Sequence, residues 1–230
     1  MQDKEIDIKT LAEYMIYLQD SLKCHNINFV SPSHFVPQIM QALVVAVPLG
    51  LHVPLVYNTG GFDSVETLRE LEGVIDIYLP DIRYGDNESG QKFSQAPLYV
   101  EINRAAIKEM FRQVGNLILD EHEIAQRGLI VRHLILPHKL AGSKASLTWL
   151  VNEVSPQVTV SVMSQYHPMH RARQIPLLAR KITLEEYREV TALVETLGME
   201  NGWVQEMSSA EYYLPDFARE GHPFEPGLER

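Results

Sequence analysis

Val53-Pro54-Leu55-Val56-Tyr57-Asn58-Thr59-Gly60-Gly61-Phe62-Asp63 is an apolar strand that runs into a polar, glycine-containing turn and then into a helix predicted over residues 63–71, with Asp63 as its N-cap. The same unit recurs on both sides. Upstream, the apolar run at 27–30 is closed by Ser31-Pro32-Ser33 and followed by helical spacing through Val36, Ile39, Met40, Leu43 and Val47. Downstream, strands are expected at 74–79, 129–136 and 158–163. Between them the spacing predicts a long helix carrying Ile107, Met110, Phe111, Val114, Leu117 and Ile118, then helices at 143–154 and 184–197. Strand alternating with helix predicts parallel βαβ units and an α/β fold, and no fixed-period repeat favours a solenoid.

One helix breaks the alternation. Ile8, Leu11, Met15, Leu18 and Leu22 form an apolar stripe behind an Asp7 N-cap, ahead of the first strand. A helix in a parallel sheet crosses between two strands, so a leading helix implies a first strand that this chain does not contain. Residues 80–97 read as irregular, and Asp120-Glu121-His122-Glu123 as the solvated end of the long helix. The expected division is a barrel-like body over 1–197 and an extension over 198–230. The extension holds Trp203, Tyr212, Tyr213 and Phe217, aromatics costly to leave in water, so it is expected to wrap the body.

With 230 residues, 45% hydrophobic and 22% charged, the chain suits one sizeable domain. Its formal net charge of -10 disfavours nucleic acid and membrane surfaces, which reward clustered Lys and Arg. The N-terminus carries no signal-peptide core and no run reaches the roughly 18 apolar residues of a membrane span, which points to the cytoplasm. The single cysteine, Cys24, excludes an intramolecular disulfide framework and an all-cysteine zinc site, and beside an apolar run it reads as a small buried thiol.

Ligands of parallel βα folds bind beyond the carboxyl ends of the strands. Here those ends are residues 31–34, 58–61, 81–84, 132–138 and 164–167. Residues 58–61 read equally as a plain turn or a ligand loop, and Asp81 after Pro80 as a loop cap or a site carboxylate. Arg132 is more telling, because it interrupts the apolar run of Leu129, Ile130, Val131, Leu134 and Ile135, where an unpaired charge is expensive. It needs an anion, either Asp81 or a ligand carboxylate. His133, His138, His167 and His170 suggest a metal, yet Arg132 and His133 must point to opposite faces of their strand, so no convergent ligand set is expected. No phosphate-binding glycine loop, nucleophile elbow or acid-base pair with identifying spacing is present, and no catalytic residue is assigned.

The strand-end segments form a set. Cys24-His25-Asn26-Ile27-Asn28-Phe29-Val30-Ser31-Pro32-Ser33-His34, Val56-Tyr57-Asn58-Thr59-Gly60-Gly61-Phe62-Asp63, Asp76-Ile77-Tyr78-Leu79-Pro80-Asp81, Gln126-Arg127-Gly128-Leu129-Ile130-Val131-Arg132-His133-Leu134 and Ser164-Gln165-Tyr166 closely resemble, in order and over nearly the whole chain, a radical S-adenosylmethionine subgroup related to pyruvate formate-lyase activating enzymes. The resemblance implies a partial (β/α)6 TIM-like barrel with its first strand missing. It also implies a 4Fe-4S cluster and S-adenosylmethionine, which together generate a 5'-deoxyadenosyl radical that in the activases takes hydrogen from a glycine of a partner enzyme. By the same resemblance Asn58, Thr59 and Asp81 lie near the methionyl end of the cofactor, through a bound cation. Arg83 stands where relatives often have lysine, and Arg132, Gln165 and His167 are further cofactor-side groups.

Two departures qualify it. The Cys-x3-Cys-x2-Cys loop that ligates the cluster has no counterpart, since Cys24 sits at the start of the next strand. Ser31-Pro32-Ser33-His34 replaces the glycine-glycine-glutamate turn that holds the cofactor amino group. The expectation is a truncated family member, inactive alone, whose partner is a glycyl-radical-type protein or a polypeptide supplying the cluster segment. The alternative is a non-catalytic module that binds S-adenosylmethionine or a nucleoside, or docks on a partner. An acid-base βα-barrel enzyme using Asp81, Arg132 and His133 ranks behind both.

Overall fold

The computed structural model describes residues 5–207; Tyr212, Tyr213 and Phe217 lie outside the described residues. The chain runs α1 (Ile8–Asp20), β1 (Ile27–Val30), α2 (Val36–Ala46), β2 (Leu55–Thr59), α3 (Val65–Glu70), β3 (Ile77–Pro80), α4 (Asn87–Ser94), α5 (Tyr99–Val114), β4 (Ile118–Leu119), β5 (Ala125–Leu134), α6 (Ser143–Glu153), β6 (Thr159–Met163), α7 (Leu184–Thr196) and β7 (Gly202–Val204). The sheet order is β1-β2-β3-β5-β6-β7, every neighbour parallel, with β4 antiparallel to β5. The parallel α/β architecture expected from the alternation is therefore present. Among the described residues β1 and β7 do not pair, so the sheet has two ends. No helix among them is long and apolar enough to cross a membrane.

Strand register separates the two faces of the sheet. Tyr57 sits beside Tyr78 and Tyr78 beside Leu129, and these join Val131, Val160 and Val162 in a core shared with Leu68, Ile107, Met110, Leu147 and Leu150 of the helices. Ile107 and Met110 are fully buried, and burial of each contributes roughly 2 kcal/mol. The alternate positions face the other way: Asn58 lies beside Leu79, Arg132 beside Ser161, and Asp81 bridges to Arg132. Asn58, Leu79, Arg132, Ser161 and Met163 are only half-buried, so the face away from the core is half open.

Several local expectations change. α4 occupies part of the stretch read as irregular; Asp86 caps it by accepting from Ser89 N at 2.7 Å. Its sequence, Asn87-Glu88-Ser89-Gly90-Gln91-Lys92-Phe93-Ser94, has too few apolar residues to show a period. The acidic run 120–123 is not a helix end. α5 stops at Val114 with Gly115 (φ 72°) beyond it, and Ile118, expected on that helix, instead begins a β4–β5 hairpin, with Leu117 just before it. Asp120 organises its turn by accepting from His122 N (2.9 Å), Ile124 N (3.0 Å) and Gln126 Nε2 (2.9 Å). β7 was not expected; it adds Gly202–Val204 of the extension to the sheet beside β6, with Trp203 55% exposed. α3 starts two residues later than its predicted cap, with Ser64 as N-cap, which frees Asp63 for another role.

Candidate functional site

The carboxyl ends of β3 and β5 meet at Asp81. Its backbone N donates to Thr59 O (3.0 Å), and the next amide, Ile82 N, donates to Arg132 O (2.8 Å). The carboxylate is clamped from both sides. Oδ1 accepts from Arg132 Nε (2.8 Å) with Nη2 at 2.7 Å, and Oδ2 accepts from Arg83 Nε (3.2 Å) and Nη2 (2.8 Å). The anion demanded by Arg132 in its apolar run is thus Asp81. Two guanidiniums around one carboxylate leave a net positive charge, and each guanidinium has further N–H donors beyond those used here. The side chains are 51% exposed for Arg83, 26% for Arg132 and 12% for Asp81, so the spare donors can reach a ligand. Burial works against the charge on Arg83, but Asp81 outweighs it and holds the pKa above the usual arginine value.

A second cluster lies behind this one. Asp63, 4% exposed, accepts from Ser33 Oγ (2.6 Å), Thr59 Oγ1 (2.6 Å) and Tyr57 OH (3.0 Å). It ties the 31–34 turn to β2, and Gly61 N donates back to Thr59 Oγ1 at 3.2 Å. Burial, reinforced by the Asp63 charge, raises the Tyr57 phenol well above its ordinary value, so it stays a proton donor. Thr59 is consequently turned away from the half-open face, 3% exposed, with its hydroxyl committed to Asp63. Asn58 is on the half-open face, and its side chain hydrogen-bonds nothing among the described residues.

Beyond β6, Gln165 and His167 are partly buried, and Gln165 Oε1 and His167 Nδ1 are buried atoms without a partner among the described residues. No hydrogen bond connects either side chain to the Asp81 clamp. The structure therefore joins Asp81, Arg83 and Arg132 in one network, puts Asn58 on the same face, assigns Thr59 to the cluster behind, and leaves Gln165 and His167 separate.

His133 points into the core, fully buried, between Ile82 O and Ser143 Oγ, each 2.8 Å away. A carbonyl only accepts, so Nδ1 carries the proton and Nε2 accepts from the serine. Burial lowers the His133 pKa to about 4, so the ring is neutral. His138 and His170 lie in separate 3-10 turns, Pro137–Lys139 and His170–Gln174. No group of three or more His, Cys, Asp or Glu that could hold a metal occurs among the described residues. Cys24, expected to be buried, is partly exposed, just before the amino end of β1. A groove of about 990 Å³ between α6 and α7, lined by Leu136, Trp149, Val190 and Leu193, does not include Asp81, Arg83 or Arg132. Asp63 was missed as a site organiser because a cap and a buried acceptor look alike in sequence.

No family model matches the chain. It is 28% identical over 192 residues to an uncharacterized protein of Methanocaldococcus jannaschii, MJ0674, a match covering 84% of this chain and 52% of that protein. The chain thus spans about half the length of the curated relative it matches. Among solved structures it is similar to a domain of pyruvate-formate lyase-activating enzyme from Bacteroides vulgatus, at 14% identity and a TM-score of 0.49, over 79% of this chain and 98% of that one.

Proposed function

We propose that the chain is a radical S-adenosylmethionine-type barrel body that binds the amino-acid end of S-adenosylmethionine, with the cluster thiolates supplied by another polypeptide segment. The observation that carries this reading is the clamp of Asp81 between Arg83 and Arg132 on a half-open face at the carboxyl ends of β3 and β5. Its net positive charge and spare N–H donors suit a ligand carboxylate. Both Asp81 oxygens are already occupied, so the guanidiniums take the place of the cation that the resemblance implies. Asn58, whose side chain has no hydrogen-bond partner among the described residues, is on the same face and is a partner for a ligand amino or carboxyl group, whereas Thr59 acts indirectly through Asp63. Gln165 Oε1 and His167 Nδ1, which lack partners among the described residues, offer further polar contacts beyond β6.

The spare guanidinium donors suit the amino-acid end of the cofactor, and the thiol content does not suit the cluster. Three thiolates are required, while the sequence holds one cysteine, located near the amino end of β1 and away from the carboxyl ends where the clamp lies. Binding, not radical generation, is the activity assigned to these residues by themselves. A glycyl-radical-type protein, or a polypeptide bearing the cluster segment, is the partner this reading calls for.

Calorimetry on the full chain tests it, comparing S-adenosylmethionine with 5'-methylthioadenosine, which lacks the amino-acid group. The expected result is binding of S-adenosylmethionine that weakens about tenfold or more in Arg132→Ala, from loss of a charge-assisted contact, with no comparable change for methylthioadenosine. Absence of S-adenosylmethionine binding, or equal affinity in wild type and variant, overturns the reading.

A further inference from the structure

We propose that Tyr99 and Asn103 of α5 are positioning residues that set the Asp81–Arg83 pair by holding its backbone, an inference that rests on the clamp being the ligand site. The two residues are one helical turn apart and therefore share a face of α5. Tyr99 OH accepts from Arg83 N at 2.8 Å. Asn103 Nδ2 donates to Asp81 O at 2.9 Å and to Gly61 O at 2.8 Å. One helix face thus holds alternate residues of the segment after β3, so that the carboxylate of Asp81 and the guanidinium of Arg83 project from a fixed backbone.

The same face also holds the turn after β2. The Tyr99 ring stacks on Phe62, with centroids 6.0 Å apart and an interplanar angle of 6°, and meets Tyr84 edge-on at 5.2 Å. Gly61, at φ +74°, lets the two strand ends close together: a Cβ there would strike Asp81 O and come within 2.5 Å of Asn103 Nδ2. Asn103 is 1% exposed, and its Oδ1 is left without a partner among the described residues. A buried amide oxygen without a donor is costly, and the two bonds made by Nδ2 offset that cost. The amide donor is what the position requires, because both groups it meets are carbonyls.

The test measures amide hydrogen exchange in the full chain at residues 81–83, with α7 as a distant reference, together with affinity for S-adenosylmethionine. Tyr99→Phe keeps the ring contacts and removes only the acceptor; exchange at Arg83 is expected to rise about tenfold while Asp81 and α7 stay within twofold. Asn103→Leu is expected to raise exchange at Asp81 and Ile82 and to weaken binding about tenfold. If Asn103→Leu fails to fold, Tyr99→Phe alone decides. Exchange at 81–83 that rises no more than in α7 overturns the inference. Local loosening in the variants, combined with a wild-type protein that never binds S-adenosylmethionine, instead refutes the ligand assignment and leaves the backbone-holding role standing.

Discussion

Arg132 reaches from β5 to the end of β3 and closes on Asp81, with Nη2 2.7 Å from Oδ1, while the residue next to it, His133, turns its ring to the opposite face of the sheet and is fully buried. One strand end thereby serves two purposes, a charged contact on the half-open face and a neutral hydrogen-bond link to α6 through Ser143.

Removing Arg132 leaves Asp81 paired with Arg83 alone. Because the Arg132 side chain is 26% exposed, solvent screens part of the loss, and Arg132→Ala should lower unfolding stability by about 1–2 kcal/mol. Arg132→Lys should not restore ligand affinity, since an ammonium cannot repeat the planar Nε and Nη2 contact. Urea unfolding and calorimetry on both variants measure the two effects.

The buried neutral His133 makes stability depend on pH. Its folded pKa of about 4 lies below the unfolded value of 6.5, so between those values the unfolded chain binds more protons and stability falls as pH falls. The loss begins near pH 6.5, levels off below about 4 and amounts to at most about 3 kcal/mol. Unfolding midpoints measured across this window should slope in wild type and slope less in His133→Gln, which is uncharged throughout. Equal slopes would show that His133 is not the titrating group.

Asp63 holds three hydroxyl donors with one buried carboxylate. Asp63→Leu should cost about 3 kcal/mol, because the hydroxyls of Ser33, Tyr57 and Thr59 lose their acceptor together. Asp63→Asn, which keeps one acceptor oxygen, should cost less. Thermal unfolding of the two variants gives the order directly.

Gly61→Ala combines a left-handed backbone with a collision against Asp81 O and Asn103. It should destabilise by about 2 kcal/mol or more and weaken the ligand site, whereas Gly73→Ala, also left-handed at φ +77° but with nothing within 4 Å, should cost only about 1 kcal/mol. Denaturant midpoints of the pair separate crowding from backbone conformation.

The alternation of strands and helices was readable because apolar period and turn residues change together along the chain. So was the need of Arg132 for a carboxylate, since a charge inside Leu129-Ile130-Val131 has few inexpensive solutions. What escaped depends on three-dimensional register or on very short elements. Thr59 was expected at the ligand, but the pairing of Tyr57 with Tyr78 puts it on the helix side. α4 lacks an apolar stripe, β7 has three residues, and Asp120 could be recognised as a hairpin organiser only once α5 was known to end at Val114. Tyr99 and Asn103 looked like ordinary helix residues, because their partners are backbone atoms far along the chain.

The exposed Trp203 in β7 has a practical value of its own. It pairs in register with Ser161, on the same side of the sheet as Arg132, while the chain's other tryptophan, Trp149 of α6, sits under Arg104 of α5. The molecule therefore carries a built-in optical reporter on one face, and emission from a Trp149→Phe protein, in which Trp203 alone emits, would report occupancy of the half-open face without any added label.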